Sequence, residues 1–179
     1  MKLISPPSTD EYNEFYSDYI QRAKRRDDLF VALSVQFDDI RSAVGKLSDT
    51  QAGFKPGPDE WSIKEVIGHL SDVERVFSYR LLRISRNDSA PISGMEQDDY
   101  VREAGFDNYS IEDLINEFAH LRRANIIAIN NMPEEYADRR GIASGFPVSA
   151  RALIYMLVGH VEHHMASLNE KYLPLAITL

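Results

Sequence analysis

The stretch "WSIKEVIGHLSDVERVFSYRLLRI", Trp61 to Ile84, decides the fold. The residues of its apolar stripe are Ile63, Val66, Ile67, Leu70, Val73, Phe77, Leu81 and Ile84. They recur at spacings of three and four, the stripe of an amphipathic helix. Ser62 followed three residues on by Glu65 is a capping-box signature, and Trp61 sits in the staple position just before it. The pattern ends near "RNDSAPISG".

Upstream, a segment from about Asp10 to Leu47 repeats Leu29, Leu33, Phe37, Ile40 and Val44 with the same period. It reads as a short helix and then a longer one, broken off by the glycines and prolines of "SDTQAGFKPGPDE". Downstream, "SAPISGMEQDDYVREAGFDNY" reads as a loop of about twenty residues, a length that is often functional. A third helix opens at Ser110 and runs to about Met132, where Pro133 stops it. Its stripe is Ile111, Leu114, Ile115, Phe118, Leu121 and Ile129. A second loop, "EEYADRRGIASGFP", leads to Ser149 as N-cap. The fourth helix runs from Ala150 to about Tyr172, and Pro174 ends it. No segment alternates with period two. The expectation is an all-α fold, a single domain over residues 1–179 built as a four-helix bundle with long connecting loops. The loops are long for an up-down-up-down path, which leaves the topology open.

Charge and composition exclude several classes. The formal charge is −8, whereas nucleic acid and anionic membranes need a basic face. The one basic run, "RAKRR" from Arg22 to Arg26, is followed at once by two aspartates and reads as a solvated helix face. The absence of cysteine rules out disulfides, thiolate metal sites and a cysteine nucleophile. The N-terminus lacks the apolar core of a signal peptide. The longest apolar run, "ALIYMLVG", falls far short of the ~20 residues that span a bilayer. A soluble, cytoplasmic protein is expected, with no nucleic-acid or membrane partner.

Three of the five histidines lie in "GHVEHHMASL", Gly159 to Leu168. On a helical wheel, His160 and His164 fall within or at the edge of the fourth helix's apolar arc, one turn apart. That spacing lets two imidazoles share one ion. His163 falls outside the arc and is expected to face a neighbouring helix, a second subunit or water. His69 lies at the edge of the second helix's stripe and could reach across to them, since bundle sites are built from facing helices. The alternative is a set of neutral histidines hydrogen-bonded in the core. His120 forms one Glu-x-x-His with Glu117, but carboxylate-bridged di-iron bundles need two, and the wheel turns His120 to solvent.

Other metal motifs fail. Val161 stands where the zinc-protease pattern needs glutamate. His160 and Glu162 match a deaminase H-x-E, but its cysteine partner motif is absent. Three histidines without cysteine suit zinc, nickel or a similar ion and leave a position open for water or a substrate thiolate, as catalytic sites do. Glu74 and Arg122 lie inside apolar arcs where a core should be. They read either as an ion pair or as a catalytic acid and base. An enzyme would also have a pocket walled by the loops around Asp98, Asp99, Tyr100 and Gly141 to Phe146. A closed structural site would recruit Glu74 or Glu162 as a fourth ligand.

The Trp-Ser start of the second helix, "GHLSD" and the late "GHVEHH" together resemble the DinB-like superfamily, in the branch near YfiT-type metal-dependent hydrolases. The resemblance runs from about Leu29 to Tyr172. It implies a four-helix bundle, usually dimeric, with one divalent ion, zinc or nickel, held by His69, His160 and His164. Relatives include transferases that act with low-molecular-weight thiols, so the implied reaction is metal-dependent hydrolysis or thiol transfer on a small molecule. A non-catalytic, metal-stabilised bundle serving as a stress-response or binding module is the other implied reading. Some relatives carry a further histidine shortly after "GHLSD", where this chain has Val73 and Glu74.

Overall fold

The computed structural model describes residues 4–178. Eight helices and one hairpin follow in order: α1 (Ser17–Lys24), α2 (Leu29–Val44), α3 (Asp49–Ala52), α4 (Ile63–Ser85), α5 (Gln97–Ala104), α6 (Ile111–Asn131), β1 (Arg140–Ala143), β2 (Phe146–Ser149), α7 (Ala150–Ser167) and α8 (Leu173–Ala176). A π-turn, Leu168–Tyr172, carries α7 into α8.

Helices α2, α4, α6 and α7 begin where side-chain caps dictate. Ser62 accepts a hydrogen bond from the Glu65 amide, and the Glu65 carboxylate accepts one from the Ser62 amide, closing the capping box on α4. Asp28, Ser110 and Ser149 cap α2, α6 and α7 in the same manner through their side-chain oxygens.

Helices α2, α4, α6 and α7 form the bundle, with α4 packed between α6 and α7 and α2 closing the ring from the other side. Their directions follow from which residues meet. Arg123 lies over the Phe37 ring while Arg41 reaches back to Glu112, so α2 and α6 are antiparallel. Arg75 pairs with Glu117, and Ser85 lies beside Met132, so α4 and α6 run parallel. Trp61 meets His164 and Phe77 meets His160, so α4 and α7 are antiparallel. The path is therefore up-down-down-up. A 23-residue α4 is about 34 Å long, and the segment 86–110 must return that length before α6 can start. This is why the connection is long.

That segment is not structureless. It contains α5, and Ile92 pairs with the hairpin: its amide donates to Ile142 O, and its carbonyl accepts from the Ser144 amide, both at 2.9 Å. The hairpin itself, Arg140↔Ser149 through Ala143↔Phe146, refines the purely helical expectation. Its two-residue turn, Ser144–Gly145, has φ of 53° and 83°, the primed geometry suited to tight hairpins.

Two apolar clusters fill the bundle, one around Leu33, Phe77, Ile129 and Leu153, the other around Ile40, Ile67, Phe118 and Leu168. Between them lies a polar belt to which each bundle helix contributes: Gln36, His69 with Glu74, Arg122, and His160. Helix α7 is buried all round from Ala152 to Val161, because α1 covers its outer face. Gly159 permits that contact. A Cβ there would stand 1.9 Å from Tyr19 O.

Candidate metal centre

Antiparallel packing of α4 on α7 sets His69 opposite the His160–His164 face. One ring nitrogen from each of the three lies within 4.8 Å of the others. The Nε2 atoms of His69 and His160 are 3.1 Å apart. Two nitrogen ligands on one tetrahedral zinc stand about 3.3 Å apart, so this pair already has ligand spacing. His69 and His160 are buried and His164 is half-buried at the edge of the cluster.

Burial also sets the charge state. Desolvation, with a small contribution from His163, pushes the His69 pKa down to about 4. Burial holds His160 and His164 well below their usual range, reinforced by mutual repulsion among the imidazoles. All three are therefore neutral at pH 7, the form in which a histidine donates its lone pair. Nδ1 of His69 is buried without a hydrogen-bond partner among the described residues. Trp61 lies against His69 and stacks at 6.4 Å on His164, while Tyr19 and Phe77 flank His160. The donor set is three neutral nitrogens in an aromatic collar, and it fits a borderline divalent ion.

No carboxylate joins the cluster among the described residues. Glu74 is held by Arg122, whose Nε and Nη2 donate to its two oxygens at 2.9 and 2.8 Å, and by Asn125. Arg122 also donates to Gln36 and to Leu157 O, three residues before His160. The structure thus shows the ion pair that the sequence offered as one reading of these two residues, and ties it to the histidine helix through the backbone. Glu162 accepts from Arg26 and Gln36. Neither glutamate is placed as a fourth ligand. His163 turns to α1, where its Nδ1 lies 2.9 Å from Asp18, and His120 is exposed.

A cavity of about 440 Å³ reaches His160. Tyr19, Val73 and Phe77 line it, together with Asp98 and Asp99 of α5 and Ser144 of the hairpin turn. Tyr100, grouped with them in the sequence reading, lines an adjoining groove instead. The contribution of α1 to the collar escaped sequence reasoning, because Tyr19 carries no motif. Ser144 had a signal: a Ser-Gly pair between Ala143 and Phe146 is turn chemistry for a hairpin.

With this geometry in place, comparison with known proteins identifies the relatives. A family model described as the DinB superfamily matches residues 32–168. Among solved structures, YfiT from Bacillus subtilis superposes with a TM-score of 0.73 at 14% identity, over 89% of this chain and 91% of that one. It is described as a probable metal-dependent hydrolase with an unusual four-helix bundle topology. No curated protein matches the chain. The chain belongs to the DinB superfamily.

Proposed function

We propose that this DinB-superfamily chain binds one divalent ion, zinc or nickel, through His69, His160 and His164, and catalyses hydrolysis of, or thiol transfer to, a small molecule held in the cavity beside His160. The observation that carries the reading is the convergence of three neutral, largely buried imidazoles with no carboxylate among the described residues to close the set. An ion held by three protein ligands supplies Lewis acidity and lowers the pKa of what occupies its open position. The chain's own residues do the rest. Trp61, Tyr19 and Phe77 orient the rings and exclude water from their flanks. Arg122, anchored on Glu74, fixes the turn that presents His160. The likeness to YfiT supports the hydrolytic reading.

Elemental analysis of tag-free protein that has never met a metal column tests the centre. About one equivalent of ion in wild type, lost in His160→Ala and kept in His163→Ala, is expected. A wild type that binds no ion, and whose melting temperature is unmoved by added zinc or nickel, refutes the proposal.

A further inference from the structure

The cavity beside His160 holds a buried charged group that the metal site does not use. Arg80, on α4, lines it and is 4% exposed. Its hydrogen bonds all come from Nη2, to Ser144 Oγ at 2.8 Å and Ser93 O at 3.4 Å. Its Nε is buried with no partner among the described residues. The ring of Phe77 lies 5.9 Å from the guanidinium carbon.

No carboxylate among the described residues compensates this cation. The other buried arginine, Arg122, shows the contrast: it is paired bidentately with Glu74. Glu96, Asp98 and Asp99 line the same cavity but are exposed, and Asp99 is engaged by Arg102 at 2.6 Å. A buried charge without a counter-charge is costly to keep out of water. A buried polar group left unsatisfied in a native protein calls for an explanation, and a cavity beside it offers a ligand as one.

We infer that Arg80 is the anion-binding residue of the cavity, and that the substrate carries a carboxylate or phosphate group which the Arg80 fork engages while its reacting end lies at His160. The guanidinium matches either anion through paired N–H donors, which an ammonium does not. Val76, Phe77 and Met95 give the intervening part of the ligand apolar walls. Glu96, Asp98 and Asp99, at the start of α5, disfavour a second anionic group there, so the compound is anionic at one end and neutral or cationic at the other. This assignment rests on the proposed function only for which end reacts. The anion site itself stands on Arg80.

The test uses phenylacetate and its neutral isostere phenylacetamide as probes, titrated by calorimetry into metal-free and zinc-loaded full-length protein. Wild type is expected to bind phenylacetate at least tenfold more tightly than phenylacetamide in both forms. Arg80→Gln should bring that ratio close to one, and Arg80→Lys should recover only part of it. Phenyl phosphate in place of phenylacetate tells which anion is preferred. An equal affinity for the two probes in wild type, or a preference that survives in Arg80→Gln, overturns the inference. A preference seen only with zinc and unchanged in Arg80→Gln would put the anion on the ion, leaving the metal reading intact and this one refuted. If Arg80→Gln does not fold, the wild-type Arg80 Nε–Hε resonance decides. It should shift on adding phenylacetate and stay in place with phenylacetamide, and an unmoved signal refutes the assignment.

Discussion

Replacing Arg122 by methionine should cost this protein a large part of its stability. The Arg122 side chain is fully buried and that of Glu74 is 2% exposed. Arg122→Met leaves the carboxylate with Asn125 as its remaining side-chain donor among the described residues, and it removes the arginine donor from Gln36 Oε1 and from Leu157 O, which keeps its helical bond. Removing one member of a buried pair costs about 3–5 kcal/mol, because an uncompensated charge stays behind. In a chain of this size that lowers the melting temperature by about 6–20 °C. Glu74→Met should cost a similar amount, since it leaves the guanidinium alone. The double variant removes both charges, so its loss should fall short of the sum by about 2–3 kcal/mol. Denaturant unfolding of the four proteins of this cycle measures the coupling. Single variants losing under about 1 kcal/mol, or losses that simply add, would refute the claim that the two charges hold each other in the core. A Glu74→Gln variant that melts like wild type but loses turnover would favour the catalytic-helper reading instead.

Two further outcomes follow from the site. The buried histidines have folded-state pKa values below those of the unfolded chain, so the unfolded state takes up their protons first as pH falls. Metal-free protein should therefore be at full stability above about pH 6.5 and lose it progressively as pH drops toward 4, the value for His69. That residue alone accounts for up to about 3 kcal/mol, and chelator-treated protein melted across this range should show the decline, with a flat profile counting against burial of neutral imidazoles. Gly159→Ala drives a methyl group into Tyr19 O; overpacking of that kind costs about 1–3 kcal/mol, and hydrogen exchange should show faster exchange in α1 with the other helices unchanged.

The sequence shows the four bundle helices because each carries a period-3.6 stripe and a side-chain cap, and both signals are local. The hairpin and α5 are hidden for opposite reasons. Residues 140–143 and 146–149 are too short for alternation to register, and only Val148, Ser149 and Ala143 among them are buried. Helix α5 is eight residues long with one buried side chain, Val101, so it has almost no stripe to read. At the site, the wheel separated His163 from His160 and His164 correctly in direction. What lies outward could not be known from one helix: it is α1, and Asp18 and Tyr19 meet His163 there. Arg80 carried no signal either. It precedes Leu81 on the stripe's margin and reads like any surface arginine until the crossover and the hairpin close over it.

The topology explains why the cavity has the walls it has. Because α4 and α6 run parallel, the chain must travel back along the outside of the bundle between them. The returning segment is tied to the hairpin by the two hydrogen bonds at Ile92. That tie brings Met95, Asp98 and Ser144 to one cavity with Phe77 and His160. An up-down-up-down bundle with tight turns would leave the α4–α7 face beside the histidines open to solvent. The extra length spent on the crossover therefore encloses the space next to His160, and it also buries Arg80 at the far side of that space. The same segment that solves the connection between parallel helices buries a guanidinium that no described carboxylate compensates, and so ties the proposed anionic ligand to the path of the chain.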